Sequence, residues 1–214
     1  KYNNFIVSTA IQNVNETNQV VDFGAGIGTL SMIFRERYQV NPLCIEIDEL
    51  NKEYLAKRNF SFFDSLESIP NNSDFIFSSN VLEHIEDDLS ILKSMKNNLN
   101  QSGKIYLYLP AKMMLWSELD QMVGHFRRYE PSEIRFKCEQ VGLKVIKVHY
   151  ADCLGFFASL LMRLIGYDAK NGIGSIGSLK FYDRWLFPIS AFLDKIGCKF
   201  LFGKNLILVA QKID

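Results

Sequence analysis

Neither sign of charge dominates this chain. Lys plus Arg and Asp plus Glu stand at 24 each, so no overall field exists to hold a phosphate backbone, and nucleic acid is not an expected partner. Cysteine is scarce and scattered. Cys44, Cys138, Cys153 and Cys198 form no CxxC pair and no metal-ligand spacing, which fits reduced, buried thiols and gives no reason to expect a metal. Long apolar runs are also missing. The longest, Cys153 to Ile165, is interrupted by Arg163 and falls short of the roughly 20 residues a spanning helix needs. The chain shows no signal-peptide pattern, internal repeat or low-complexity tract and starts at Lys1 without Met, as expected of an N-terminally trimmed sequence. Together these absences point to a cytoplasmic protein with no obligate protein partner evident.

What is present is a core. The 214 residues are 48% hydrophobic, enough for one α/β domain spanning 1–214. Short apolar runs alternate with longer amphipathic ones, the pattern of parallel strands joined by crossover helices. Strands are predicted at 19–23, 43–47, 60–63, 74–78, 104–109, 144–150 and 205–211, and helices at 29–38, 50–58, 85–99 and 131–142. A long loop is expected from Pro110 to Tyr129. An apolar helical insertion at about 152–200, with helices near 154–165 and 179–196, precedes the last strand; between them, the Gly- and Ser-rich stretch 171–178 reads as a mobile surface loop.

The strongest motif is Val20-Val21-Asp22-Phe23-Gly24-Ala25-Gly26-Ile27-Gly28. Glycines at every second position permit positive φ and let backbone approach a ligand closely. A dinucleotide loop uses GxGxxG to seat pyrophosphate on a helix N-terminus, whereas GxGxG behind an acid argues for a ligand without phosphate. Glu46, at the end of the next strand and about 20 residues on, can accept hydrogen bonds from both ribose hydroxyls, although Asp48 competes for that task. Ile47 beside it, and Asp64 with Ser65 after the third strand, complete a nucleoside-sized set, Asp64 being placed for an adenine amino group.

With these residues the chain resembles the Rossmann-like (class I) S-adenosylmethionine-dependent methyltransferases, over nearly its whole length. Ser79-Asn80-Val81-Leu82-Glu83-His84 is similar to the family's segment after strand four, where Asn80 and Val81 would face the donor. Gly124-His125-Phe126-Arg127-Arg128-Tyr129 resembles a GHxRRY signature of one bacterial branch, and Phe202 to Leu208 the terminal antiparallel strand. Glu at 46 and Ala25 within the loop are variants of the commonest pattern. The resemblance implies a seven-stranded sheet, mostly parallel with an antiparallel last strand and helices on both faces. It also implies S-adenosyl-L-methionine as methyl donor, S-adenosyl-L-homocysteine as product, and Tyr2 to Phe5 as a segment closing over the donor. Asp22 would orient the methionine end.

Catalytic candidates are few because only three histidines exist. His149 alternates along a strand and reads as structural; His84 either faces the crevice or caps local backbone; His125, in the long loop, is the better general base. Arg127, Arg128 and Tyr129 either bind an anionic acceptor or pair with acids such as Asp120 and Glu130 to hold the loop shut. Phe156, Phe157, Trp185, Phe187 and Phe192 form core or lid, or else a greasy pocket or peripheral membrane face for a small-molecule or lipid-linked acceptor, with Arg163, Lys180, Arg184 and Lys195 near headgroups. Two alternatives stay open: a non-catalytic S-adenosylmethionine-binding protein, and another nucleotide-cofactor enzyme on a Rossmann scaffold, such as an oxidoreductase.

Overall fold

The protein is described by a computed structural model covering residues 1–14, 19–70, 72–165 and 176–213. In chain order the elements are α1 (Tyr2–Ile11), β1 (Val20–Phe23), α2 (Thr29–Tyr38), β2 (Leu43–Ile45), α3 (Glu49–Lys57), β3 (Phe62–Phe63), β4 (Ser73–Ser79), α4 (Asp88–Asn98) and β5 (Leu99–Pro110). They continue as α5 (Glu118–Met122), α6 (Pro131–Gln140), β6 (Leu143–Ala151), α7 (Cys153–Ile165), α8 (Ile176–Phe181), α9 (Phe187–Lys195) and β7 (Asn205–Lys212). Among the described residues these strands form one seven-stranded sheet in the order β3-β2-β1-β4-β5-β7-β6. Only β7 runs against its neighbours, pairing antiparallel with both β5 and β6.

The order reverses between β1 and β4. From β1 the chain moves outward to β2 and β3, then crosses back to place β4 on the other side of β1, and a crevice opens at such a switch point beyond the strand C-termini. Burial on both sides explains the unbroken apolar run in β5. Ile105, Leu107 and Leu109 join the core formed with Leu92 and Met95 of α4 and Ile134 and Cys138 of α6. Tyr106 and Tyr108 point the other way, into a core with Ile6, Val7 and Ala10 of α1 and Phe34 of α2.

Those two tyrosines carry hydroxyls into the interior, and each has a partner, as buried polar tips require. Tyr106 shares a hydrogen bond of 2.7 Å with Thr9, while Tyr108 donates to the Tyr2 hydroxyl at 3.0 Å, which also accepts from Asn205 at 2.8 Å. The N-terminal segment expected to close over a donor is therefore a helix docked on the sheet. Its Tyr2 and Phe5 rings meet Phe187 of α9 edge to face.

The expected loop 110–129 is more structured than its sequence suggests. A 3-10 turn, Met113–Leu115, and α5 occupy it, and Tyr129 returns to the strand end, its N–H donating to Pro110 O and its carbonyl accepting from Lys112. The predicted helix at 85–99 starts at Asp88, because Asp87 caps it by accepting from Ser90 N and a separate 3-10 turn occupies Leu82–His84. The predicted helix at 179–196 is α8, a π-helical stretch Tyr182–Leu186, and α9. Pro188, at the start of α9, cannot supply an N–H to the preceding turn, which is a physical reason for the widened coil. The Gly- and Ser-rich stretch lies outside the described residues up to position 175; its remainder begins α8. Asp152 ties α7 to α9, accepting from Gly155 N at 3.1 Å and Ser190 Oγ at 2.9 Å.

Candidate functional site

The three glycines of the loop after β1 have φ of +77°, +54° and +79°, a region that costs other residues backbone strain. Their surroundings differ. A Cβ on Gly24 would lie 2.3 Å from a methyl of Val81, and one on Gly28 would lie 2.8 Å from Leu55, whereas at Gly26 nothing stands within 4 Å. Gly24 thus lets the β4 loop approach, Gly28 lets α3 pack, and Gly26 leaves the crevice side of the loop bare.

Beneath the loop Asp22 is buried and accepts from Ser31 Oγ at 2.5 Å. Burial pushes its carboxyl up to about 7, against the lowering effect of that bond. Ser31 was missed in the sequence because nothing local marks a helical serine as the partner of a strand acid. Glu46 is nearly buried and its two oxygens bind the loop from below: Oε2 accepts from Gly26 N at 2.7 Å, and Oε1 from Ile47 N and Asp48 N at 2.9 Å each. Asp48 does not compete, since its carboxylate caps α3 by accepting from Asn51 N. Ile47 is exposed. Asp64 is exposed and paired with Lys52, and Ser65 opens the 3-10 turn Leu66–Ser68.

Asn80 takes φ of +54° immediately after β4, its N–H held by Tyr108 O at 2.8 Å. That turn sets Val81 against Gly24 and leads directly into Glu83 and His84. Here the structure assembles a group that the sequence does not display: the ligand atoms of Glu83, His84 and His125 all lie within 4.8 Å of one another. The two imidazoles meet edge to face with centroids 4.6 Å apart. His125 Nδ1 is 2.8 Å from Asp120 Oδ1, and the loop is anchored under it by Phe126 N donating to Glu83 O at 2.7 Å. Glu83 is fully buried with no hydrogen bond to either carboxylate oxygen; burial pushes its carboxyl up to about 7, with His125 and Arg128 opposing. Although His84 is exposed, partial covering of its ring and the neighbouring His125 hold it below the usual imidazole range.

The basic residues expected at an acceptor divide. Arg128 is buried against Asp120, Nε to Oδ1 at 2.9 Å and an Nη to Oδ2 at 3.0 Å. Asp120 is thereby brought down to about 2 by the His125 and Arg128 bonds, in spite of burial acting the other way. Arg127 and Tyr129, for which acceptor binding and a loop lock both stood open, are placed as in a lock: Arg127 pairs with Asp88 at 2.9 Å, and the buried Tyr129 donates to the same carboxylate at 2.9 Å. The reason is the buried carboxylate of Asp88 in the first turn of α4, which demands donors.

A cavity of about 620 Å³ lies beside this loop. Leu115, Trp116 and Leu119 from the loop, Met162 of α7, Leu179 and Phe181 of α8, and Leu186 wall it, with Arg128 and Lys204 as cationic members of the lining. Of the aromatics expected on the insertion, Phe156 and Phe187 are buried in the fold, while Phe157, Trp185 and Phe192 are exposed. Among the described residues no helix is long and apolar enough to cross a membrane.

Residues 6–148 match a family model described as a methyltransferase domain. No curated protein matches the sequence. Solved structures with a similar fold include a SAM-dependent methyltransferase from Archaeoglobus fulgidus, 16% identical with a TM-score of 0.65 over 98% of this chain and 92% of that one. Phosphoethanolamine N-methyltransferase 2 of Haemonchus contortus, in complex with S-adenosyl-L-methionine, is 16% identical with a TM-score of 0.64 over 100% of this chain and 53% of that one. A mycolic acid cyclopropane synthase complexed with SAH is 15% identical with a TM-score of 0.61 over 96% and 82%. At these identities the likeness is one of fold.

Proposed function

Because the chain belongs to the methyltransferase-domain family, we propose that it transfers a methyl group from S-adenosyl-L-methionine to an apolar small-molecule or lipid-linked acceptor seated in the cavity beside Arg128. The observation that carries the reading is the bare position at Gly26, whose N–H is held by Glu46 while its Cβ direction meets nothing. Backbone can lie against a ligand there, and Glu46, already fixed by three amides, needs no reorganisation to meet a ribose. Ile47 and Val81 would flank the nucleoside, with Asn80 above it and Asp64 and Ser65 at the adenine end.

Bound S-adenosyl-L-methionine supplies a methyl group on an activated sulfonium, with neutral S-adenosyl-L-homocysteine as the product. The chain's own task is alignment, which can contribute about 7–11 kcal/mol. Leu115 to Leu119 and Arg128, from the loop that carries His125, line the cavity, and His125 is held at Nδ1 by Asp120 at 2.8 Å with Nε2 on the Glu83 side. The Glu83, His84 and His125 group is therefore assigned to activation of the acceptor's nucleophilic atom, a step worth roughly 10²–10⁴-fold.

A tritiated methyl donor incubated with lipid, glycan, protein and small-molecule fractions tests the reading. Label should enter an apolar fraction, and His125→Ala should slow that transfer while leaving S-adenosyl-L-homocysteine binding intact. Donor binding without transfer to any fraction would favour the non-catalytic alternative.

A further inference from the structure

Glu83 stands out among the described residues as a fully buried acid with neither carboxylate oxygen hydrogen-bonded. His125 Nε2 stands 3.9 Å from its Oε1. A buried carboxylate in that condition is costly unless a proton or a cation satisfies it. We propose that Glu83, His84 and His125 form a binding site for a divalent transition-metal cation.

The ligand atoms already lie within 4.8 Å of one another, so small side-chain adjustments bring them to one centre. Two imidazoles and one carboxylate suit a borderline ion such as Zn²⁺, and three protein ligands leave at least one position open. The surroundings orient the rings as metal ligands need. Asp120 takes His125 Nδ1 at 2.8 Å and is itself gripped by Arg128 through two bonds, which aims Nε2 at the Glu83 side. His84 has the backbone carbonyls of Gly124 and Val123 beside its ring, an acceptor for whichever nitrogen does not bind the ion. The exposed His84 gives the group its one solvent-facing member, with His125 of intermediate burial and Glu83 buried behind them.

The catalytic consequence rests on the methyltransferase reading; the binding does not. The site lies between Val81, packed on the glycine loop, and Arg128, which lines the cavity. A hydroxyl of the acceptor coordinated at the open position becomes more acidic. Its O–H bond breaks with the proton passing to solvent, and the retained electron pair forms the C–O bond as the C–S bond to the thioether breaks.

The test uses the whole protein, stripped with chelator and then titrated with Zn²⁺ by calorimetry and with Co²⁺ by visible absorption. One Zn²⁺ should bind per chain and Co²⁺ should develop ligand-field bands. Glu83→Gln and His125→Ala should each weaken Zn²⁺ binding at least tenfold, and Asp120→Asn, which touches only the second layer, by about 10–100-fold. Binding of S-adenosyl-L-homocysteine reports that each variant is folded and should survive in all three. Absence of Zn²⁺ uptake by protein that binds S-adenosyl-L-homocysteine, or uptake unchanged in all three variants, overturns the site. Zn²⁺ uptake at these residues by protein that does not bind S-adenosyl-L-homocysteine would sustain the metal site while removing the donor reading.

Discussion

Gly24, Gly26 and Gly28 are interchangeable in the motif and distinct in space. Gly24→Ala drives a Cβ to 2.3 Å from Val81 at a φ that already costs roughly 1–2 kcal/mol for a side chain. The variant should lose stability in urea unfolding, and adding Val81→Ala should restore only the steric part; full restoration would show that φ carries no penalty. Asp22 makes a pH prediction. Its folded carboxyl, at about 7, lies above the ordinary 3.8, so the native state holds the proton more tightly. Stability from this group is complete below about pH 4 and is lost as pH rises to about 7, a change on the order of 4 kcal/mol. Asp22→Asn should flatten that part of the pH dependence between about pH 4 and 7; a variant with the wild-type slope would assign it elsewhere.

At the scale of elements, the sequence showed most where periodicity and capping agree. The helix predicted at 29–38 is α2 to the residue, because Gly28 ends the loop sharply and Gln39, with a positive φ, closes the far end. Element ends set by tertiary contacts were less visible. The helix expected from Ile85 starts only at Asp88, where the Asp87 cap sets it, and α1 lacks the acidic first turn and side-chain cap that announce a start. The cofactor half of the site was legible because strand-end motifs are local. Glu83, Asp120 and His125 were not assembled, because only the return of the long loop to Pro110 brings positions so distant together. Asp88 marks where that loop and α4 are joined, taking Arg127, Tyr129 and Lys137. Asp88→Asn should cost about 3–5 kcal/mol, the usual consequence of breaking a buried ion pair, with S-adenosyl-L-homocysteine binding retained. A loss below 1 kcal/mol in denaturant titration would contradict the lock.

For the whole molecule, the sheet supplies the scaffold, and the helices α7 to α9 lie beyond the residues 6–148 that match the methyltransferase-domain model. They wall the cavity and expose Phe157, Leu161, Trp185, Ile189 and Phe192, near Arg163, Lys180, Arg184 and Lys195. Exposed apolar residues on helices that also carry cations are suited to an anionic lipid interface. Cosedimentation with anionic vesicles should therefore fall when Trp185 and Phe192 are both changed to Ala, Phe187 being unsuitable because it packs on α1. No binding, or binding indifferent to the pair, confines the apolar helices to the cavity.

The claim on which the rest depends is that the loop around Gly26 and the fixed carboxylate of Glu46 hold the nucleoside of the methyl donor. Calorimetry with S-adenosyl-L-homocysteine tests it directly. The account predicts saturable, one-to-one binding that Gly26→Arg abolishes while the variant remains folded by circular dichroism. Absence of heat with the wild-type protein, or undiminished binding by Gly26→Arg, would contradict it.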